Sequence, residues 1–493
     1  MKTACLFLLT LAAGLWPAAL AAGEKPNIVF ILADDLGYGE LGSYGQGKIR
    51  TPHLDQLARE GMRLTRHYTG APVCAPARCV LMTGRHLGHA EIRNNGDSGK
   101  GGPFPGQRPI TAGAVTIAEV LQAAGYATGG FGKWGLGPTD GSGSPIRQGF
   151  DRFYGYNCQR NAHSFFPPFL DDDEGIETIN ANPVPGHLRK PEGEIKAGDY
   201  RAETYAPDRI LEEAVEFLDA HKDGPFFLYC PFVEPHLAMH PPQEWLDRYP
   251  EEWDREKGVY RGQNGYLPHP RPRAGYASMI SDLDEHVGTI LKRLDHHGLR
   301  DKTLVIFTSD NGTTHGSRDP KFGVGGVDAA FFNSTAGLRG FKGSVHEGGI
   351  RVPAIVRWPG VVEAASTSGT PGYFPDWFPT LCAAAGAAPP AGLDGVDLTP
   401  ALKGGRVERS KPMIWEFHGY GGQLAVIDGD WKAVRLDVRS KKGPGPWTLY
   451  NLADDPAEST DLAAKKPAIL KRLVTAFETD RTPHEHFKLP LYD

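Results

Sequence analysis

Two pairs of oxygen-bearing side chains directly follow apolar runs of the sequence. Asp34-Asp35 follows one run and Asp310-Asn311 follows another, more than 270 residues later. Carboxylate and amide oxygens suit Ca²⁺ or Mg²⁺ better than Zn²⁺, which favours histidine and thiolate ligands. Either pair alone also suits the cap of a turn. Together, at the ends of two strand-like runs, they predict a site for a hard divalent cation.

A second chemical feature is the segment 74–85, which reads Cys-Ala-Pro-Ala-Arg-Cys-Val-Leu-Met-Thr-Gly-Arg. It is typical of a loop that enters a helix. A thiol at Cys74, or a nucleophile derived from it, would face the positive end of the helix dipole. Arg78, one turn later, is a fixed cation that could hold an anion or the hydrate of a carbonyl. The alternative is that Cys74 is a buried structural cysteine.

The elements that position these residues alternate between strands and helices. Continuous apolar runs are typical of strands buried on both faces of a parallel sheet. The expected strands span residues 27–33, 126–131, 226–229, 303–309 and 352–356, and the expected helices include 52–60, 207–221 and 273–297. This alternation predicts an α/β fold with a large, mostly parallel sheet flanked by helices. Ligands bind beyond the carboxyl ends of such strands, where both oxygen-bearing pairs would meet.

Three segments are expected along the chain. Residues 1–22 resemble a signal peptide, because Lys2 precedes the apolar stretch 6–20 and Ala19-Leu20-Ala21 forms a small–x–small cleavage site. We expect an exported protein, periplasmic or secreted, without stable membrane insertion; an uncleaved anchor is the alternative. Residues 23–405 would form the catalytic domain.

The remaining residues, 406–493, are expected to form a small α+β domain with an antiparallel sheet and a closing helix. Two long polar stretches, about 157–204 and 248–273, interrupt the main alternation. We interpret them as loops over the rim of the site and not as separate domains.

The amino-acid composition argues against two classes of protein. The 493 residues carry 53 basic and 59 acidic side chains, a net charge of −6, which argues against a nucleic-acid binder built on general electrostatics. Hydrophobic residues make up 40% of the chain and charged residues 23%, which argues against a disordered protein. Beyond the signal segment, the cysteines are odd in number and not spaced as a disulfide framework or zinc site. They are Cys74, Cys79, Cys158, Cys230 and Cys382, whose pairing the sequence leaves open.

The segment from Cys74 to Arg85 resembles the signature of the type I sulfatases, the formylglycine-dependent, arylsulfatase-like family with an alkaline-phosphatase-like fold. That pattern is Cys-x-Pro-Ser/Ala-Arg followed by x-x-Leu-x-Thr-Gly-Arg, and every fixed position is present here, with Ala77 where serine is usual. The resemblance covers essentially the whole mature chain. Further matching segments are 27–39, 132–137, 235–236, 309–312, 338–342, 347–353 and 394–398.

The resemblance implies a modified nucleophile and one metal ion per chain. Cys74 would be oxidised to formylglycine by a formylglycine-generating maturation enzyme. One Ca²⁺ would be bound by Asp34, Asp35, Asp310, Asn311 and the converted Cys74. These roles follow from the resemblance and not from spacing.

The same resemblance implies roles for the basic residues. Arg78 would steady the hydrated aldehyde, and Lys133 and Lys342 would bind sulfate oxygens. His236 would protonate the leaving alcohol. Several cations preorganised around the ester would offset the negative charge that gathers on the leaving oxygen in the transition state.

The sequence departs from the family at one position. Many members carry a histidine two residues after the first lysine, where it contacts the formylglycine hydroxyl, and here that residue is Gly135. The base for the final elimination is therefore unassigned. His163 and His315 are candidates, and for each the alternative is a histidine at the rim or surface.

We therefore expect a sulfatase that hydrolyses O-sulfate esters through a formylglycine gem-diol beside Ca²⁺. The expected substrates are sulfated carbohydrates or aryl sulfates. A phosphate diester or phosphonate monoester hydrolase with the same site is the nearest alternative. A non-catalytic binder of sulfated glycans is another, because of Gly135.

Overall fold

The computed structural model describes residues 25–96, 108–187, 191, 193–314 and 321–493. The expected signal peptide lies outside the described residues. The strands are β1 (Asn27–Ala33), β2 (Met62–Leu64), β3 (His67–Tyr68), β4 (Ala127–Lys133), β5 (Arg152–Tyr156), β6 (Phe169–Asp172), β7 (Gly175–Thr178), β8 (Phe226–Pro231), β9 (Thr303–Ser309), β10 (Ala354–Arg357), β11 (Ser366–Ser368), β12 (Gly372–Tyr373), β13 (Met413–Phe417), β14 (Gln423–Asp428), β15 (Trp431–Arg435) and β16 (Trp447–Asn451). The helices are α1 (Pro52–Glu60), α2 (Cys74–Thr83), α3 (Ile117–Ala123), α4 (Ala206–Ala220), α5 (Gln243–Leu246), α6 (Glu252–Lys257), α7 (Pro272–His296), α8 (Ala329–Phe332), α9 (Glu347–Ile350), α10 (Trp377–Ala385), α11 (Thr399–Leu402) and α12 (Pro467–Thr479).

A single large sheet forms the centre of the fold. Within the described residues it has ten strands, in the order β11-β2-β10-β9-β1-β8-β4-β5-β6-β7. The five central strands, β9, β1, β8, β4 and β5, are parallel to one another. Antiparallel pairs flank them, since β10 runs opposite to β9 and β6 opposite to β5. The predicted α/β class is confirmed, and the sheet is mixed at its edges.

The central strand β1 shows why these sequences form a covered sheet. Its seven residues are all buried, and alternate side chains enter different cores. Val29 and Ile31 pack in the core that includes α1, α4 and α7, whereas Phe30 and Leu32 pack in the core that includes α2, α3 and α10. Each such side chain contributes roughly 1.5–3 kcal/mol by burial, so helices on both faces are needed to realise it.

Local sequence features set the ends of two helices, a proline and a glycine at α1 and a capping box at α3. Helix α1 begins at Pro52 and ends before Gly61. At α3, Glu119 N donates to Thr116 Oγ1 at 3.2 Å, and Thr116 N donates to Glu119 Oε2 at 2.8 Å, which together form a capping box.

The polar stretch 157–204 is not entirely loop, and this part of the prediction was wrong. Strands β6 and β7 form a hairpin on the edge of the large sheet, paired to β5. Asp171 is buried in β6, and its Oδ2 accepts a hydrogen bond from Asn157 N at 2.9 Å. The backbone donor satisfies the carboxylate, so an acidic sequence can continue the sheet.

The C-terminal residues form the expected antiparallel meander in the order β13-β14-β15-β16. One face packs on the main core through Trp415 and Ile427. The other face packs against α12, with Leu473 and Phe477 buried between them. The division of the chain near residue 405 remains a prediction.

The five cysteines among the described residues are all buried, and none forms a disulfide. In the same part of the chain, no helix combines the length and apolar character that crossing a membrane requires.

Lys432 of β15 ties the C-terminal sheet to the main body. It is fully buried, and its Nζ lies 2.9 Å from Glu347 Oε1 and 3.0 Å from Glu458 Oε1. Glu347 N also donates to Glu458 Oε2 at 2.7 Å. Burial opposes the charge of Lys432, but the two carboxylates outweigh it and raise the lysine pKa. Because Glu347 begins α9, this network holds the segment that also carries Lys342.

We expect Lys432→Met to lower the free energy of unfolding by about 3–5 kcal/mol, because it leaves two buried carboxylates without their cation. Urea unfolding followed by circular dichroism measures this. Lys465→Met is the matched control, since Lys465 is exposed. Equal stability of the two variants would contradict the role given to Lys432.

Candidate active site

The predicted site residues converge at the carboxyl ends of the central parallel strands. The Asp34-Asp35 pair follows β1, and the Asp310-Asn311 pair follows β9. Lys133 ends β4 and His236 follows β8. Cys74 and Arg78 lie in α2, and Lys342 lies in the segment before α9. All of these residues are buried. The sheet therefore brings together residues that are up to 308 positions apart in sequence.

Three carboxylates lie against one another at the centre of the site. Asp35 N donates to Asp310 Oδ1 at 3.2 Å, and Asn311 Nδ2 donates to Asp35 Oδ1 at 2.7 Å. Asp35 adopts a left-handed backbone conformation, with φ of 71°. This conformation costs a non-glycine residue on the order of 1 kcal/mol, and it occurs where the surrounding structure constrains the chain.

The donor set fits a hard divalent cation. Asn311 Oδ1 is buried and has no hydrogen-bond partner, which costs about 1–3 kcal/mol unless something binds it. Burial and the adjacent charge of Asp34 outweigh the effect of Arg78 and raise the pKa of Asp310 to about 7. A cation bound by the oxygens of Asp34, Asp35, Asp310 and Asn311 would relieve both penalties.

Cys74 is the first residue of α2 and lies directly beside the carboxylates. Its Sγ donates to Asp34 Oδ1 at 3.3 Å, and Lys342 Nζ lies 3.5 Å from the same sulfur. Burial and the charge of Asp34 raise the pKa of the Cys74 thiol. One oxygen or nitrogen each of Asp34, Asp35 and His236 lies within 4.8 Å of the sulfur.

Three cations balance the carboxylates. Lys133 Nζ lies 2.5 Å from Asp34 Oδ2, and Lys342 Nζ lies 2.7 Å from Asp35 Oδ2. Arg78 Nη2 lies 2.8 Å from Asp310 Oδ2, and Arg78 Nη1 donates to the carbonyl of Lys133. Burial opposes ionisation of Asp34, but the surrounding positive charges outweigh it and hold the pKa of Asp34 well below its usual range. Lys133 makes the largest contribution among these charges.

His236 faces the same centre with a defined ring orientation. Its Nδ1 hydrogen-bonds to the carbonyl of Leu237 at 2.6 Å, so Nδ1 carries the proton and Nε2 has a free lone pair. Nε2 lies 3.8 Å from Asp35 Oδ2. Burial and the charge of Lys342 lower the pKa of His236.

The position of the absent histidine is filled by another side chain. A Cβ placed on Gly135 would lie 2.2 Å from Gln159 Nε2, and Gly135 has a φ of +82°. Gln159 is buried, and its Nε2 has no hydrogen-bond partner. Sequence reasoning missed Gln159, because nothing in the sequence relates it to residue 135.

Of the two candidate histidines, His163 lies at the site and His315 lies outside the described residues. The His163 ring stacks on His236 with centroids 5.1 Å apart. Tyr266 and His187, which the sequence did not single out, contact His163 from the rim. They come from the two polar stretches that were expected to cover the site.

Comparison with known proteins identifies the relatives of this chain. The family model described as Sulfatase matches residues 26–387. Human arylsulfatase A is 33% identical over 513 aligned residues, which cover 94% of this chain and 89% of that protein.

Solved structures give the same picture. The structure of Ps i-CgsB in complex with k-i-k-neocarrahexaose matches with a TM-score of 0.70 and 28% identity, over 92% of each chain. A phosphonate monoester hydrolase of Agrobacterium radiobacter matches with a TM-score of 0.60 and 22% identity, over 92% of this chain and 95% of that one. At that identity, the second likeness shows the fold alone.

We expect Ca²⁺ to raise the melting temperature of chelator-treated protein, because an ion that binds only the folded state stabilises it. At a free Ca²⁺ concentration one hundred times Kd, the free energy of unfolding rises by about 2.7 kcal/mol. Thermal unfolding with and without CaCl₂ measures it. Asp310→Ala should remove most of the shift.

Asp301→Ala is the control for that comparison, since Asp301 is exposed just before the opposite end of β9. It should keep the full shift. An Asp310→Ala protein that responds to Ca²⁺ as the wild type does would place the cation elsewhere.

Proposed function

The chain belongs to the sulfatase family and is a sulfuric ester hydrolase. We propose a more specific function. We infer that it is an exported enzyme that hydrolyses O-sulfate esters on carbohydrates. It would use a formylglycine made from Cys74 and one Ca²⁺. The observation that carries this proposal is the position of Cys74, buried at the start of α2 between three carboxylates and two lysines.

The proposed modification replaces the thiol with a group suited to ester cleavage. Conversion of Cys74 would break the C–S bond and one C–H bond, form a C=O bond with an oxygen atom from water, and release hydrogen sulfide. The two electrons would pass to an oxidant used by a maturation enzyme. As a hydrated aldehyde, residue 74 supplies one hydroxyl for attack on sulfur and a second hydroxyl that allows sulfate to be expelled. Covalent catalysis of this type divides one difficult step into two.

The basic side chains are placed to bind the sulfate group. Lys133 and Lys342 now contact Asp34 and Asp35. With a dication held by those carboxylates, both ammonium groups would be available for the sulfate oxygens. Removing one such charge-stabilising group costs roughly 2.7–4 kcal/mol of activation free energy.

Arg78 and His236 complete the division of roles. Arg78 is anchored by Asp310 and by the Lys133 carbonyl, so it would present a fixed cation to the hydrated aldehyde at residue 74. His236 Nε2 faces the centre of the site, and only the doubly protonated imidazolium form would carry a proton there to pass to the leaving alcohol oxygen. The Ca²⁺ would be held by Asp34, Asp35, Asp310 and Asn311 and would add positive charge next to the sulfate.

Sulfated carbohydrate is the proposed substrate class. The relative solved with a neocarrahexaose supports it, because that chain is 28% identical to this one over 92% of both. Export is proposed from the signal-like residues 1–22 and agrees with a substrate found outside the cell. Aryl sulfates would be accepted as simpler substrates, since the reacting ester is the same.

We expect the peptide that contains residue 74 to carry an aldehyde in place of the thiol when the protein is made with its maturation enzyme. Peptide mass spectrometry reads the change directly, as loss of H₂S and gain of one oxygen atom. Cys74→Ala should lower kcat by at least a thousandfold without changing the melting temperature. A wild-type protein that hydrolyses sulfate esters with an intact thiol at residue 74 would refute the nucleophile.

The phosphorus-ester alternative is tested with matched aryl substrates. We expect kcat/KM for 4-nitrophenyl sulfate to exceed that for bis(4-nitrophenyl) phosphate by more than tenfold. Cys74→Ala serves as the background control for both. A preference for the phosphate diester would favour the alternative. Tight binding of sulfated glycan without turnover, in protein whose Cys74 is converted, would favour a non-catalytic binder.

A further inference from the structure

Four aromatic side chains form one wall of the site, which we call the rim cluster: His163, His187, His236 and Tyr266. The His163 ring stacks on His236 at 5.1 Å with an interplanar angle of 15°. Tyr266 meets the rings of His163, His187 and His236 at 5.4, 4.5 and 5.8 Å. The cluster combines residues from three separate parts of the chain.

Hydrogen bonds in the rim cluster fix the position of one proton. Tyr266 N donates to His187 Nδ1 at 3.1 Å, so the proton of neutral His187 is on Nε2. His187 Nε2 lies 3.0 Å from His163 Nδ1, which must then accept. Neutral His163 therefore carries its proton on Nε2.

The backbone is shaped to allow this chain of hydrogen bonds. Tyr266 has a φ of 61°, a left-handed conformation that costs a non-glycine residue on the order of 1 kcal/mol or more. A Cβ on Gly186 would lie 2.1 Å from the carbonyl oxygen of His163, so only glycine lets His187 come alongside. The strained backbone of Tyr266 and the glycine at residue 186 therefore both support the hydrogen bonds made by His187.

His163 and His236 present opposite hydrogen-bonding groups. His236 donates through Nδ1 to Leu237 and keeps a lone pair on Nε2 near Asp35, whereas His163 keeps a proton on Nε2. Burial and the positive charges of the site keep the pKa of His163 low, which favours its neutral form. Stacking of the two rings does not depend on which nitrogen carries the proton. The hydrogen bonds therefore define the tautomers for a reason other than stacking.

Burial places the two rings at different depths. His236 is 2% exposed and lies within 4.8 Å of the Cys74 sulfur, whereas His163 is only half-buried and lies next to the exposed His187. A sulfate group at Cys74 would leave the alcohol part of the substrate to extend past His236 toward His163, the more exposed of the two rings. A fixed N–H donor at that place suits a hydroxyl or ring oxygen of a sugar.

We propose that His163 is a specificity-determining residue, whose Nε2–H donates a hydrogen bond to an oxygen of the sugar that carries the sulfate, and that His187 is the positioning residue that fixes this proton. The inference rests on the proposed function and extends it from sulfate esters in general to polyhydroxylated alcohol sulfates. Aryl sulfates, which lack such an oxygen beside the ester, gain nothing from His163.

The test compares saccharide and aryl substrates in variants that remove or keep the donor. His163→Leu removes it at similar volume, and His163→Gln keeps an N–H donor close to the position of Nε2. The substrates are 4-nitrophenyl sulfate and whichever galactose or N-acetylglucosamine monosulfate the wild type hydrolyses fastest. His296→Leu is the control, since His296 is exposed at the far end of α7.

We expect His163→Leu to lower the ratio of saccharide to aryl kcat/KM by about tenfold, the usual effect of one lost hydrogen bond. His163→Gln should restore most of the ratio, and His296→Leu should not change it. His187→Leu should lower the ratio by a smaller factor because the His163 ring can then exchange tautomers, and His187→Gln should restore it.

A binding measurement separates this inference from the proposed function. In the Cys74→Ala background, the ligand is the galactose or N-acetylglucosamine monosulfate that this background binds most tightly. Calorimetry should show that His163→Leu weakens its binding by about tenfold, whether or not the wild type turns it over. An equal loss on both substrates, with unchanged binding and a lower melting temperature, would show a purely structural role and overturn the proposal. Wild-type protein that binds the monosulfate but hydrolyses no sulfate ester would instead refute the proposed function.

Discussion

The site depends on a cluster of three buried carboxylates and three buried cationic side chains at the carboxyl ends of the parallel strands. Asp34, Asp35 and Asp310 lie together and are almost completely buried, and Arg78, Lys133 and Lys342 are paired with them. Buried ions of this kind are costly to desolvate and are retained only with close partners. The parallel strands supply the rigidity that such an arrangement needs, because their carboxyl ends fix the backbone of each charged residue.

Two other parts of the molecule complete this edge. The C-terminal sheet contributes Lys432, which binds Glu347 and Glu458 and so holds the segment of Lys342. The polar stretches contribute the rim cluster on the opposite side, where aromatic contacts replace ion pairs. The site is thus rigid and charged where the sulfate group would bind and half-open where the rest of a substrate would lie.

Much of the fold could be predicted from the sequence, because strands such as β1 are buried on both faces and must be continuously apolar. The site residues could be predicted because they lie in short segments with recognisable spacing. The hairpin β6–β7 was missed, since a backbone N–H satisfies Asp171 in a way that composition does not reveal. The link from Tyr266 through His187 to His163 could not be predicted either, because its two hydrogen bonds join residues 79 and 24 positions apart.

The burial of Cys74 imposes an order of events on the life of the protein. Cys74 is 1% exposed and lies beside Lys342, and the segment of Lys342 is held by the C-terminal sheet, which is synthesised after it. An enzyme that oxidises this residue cannot reach it once the sheet has docked. If Cys74 is converted as we propose, the conversion must take place on a nascent or still unfolded chain, and molecules that fold too early are permanently inactive.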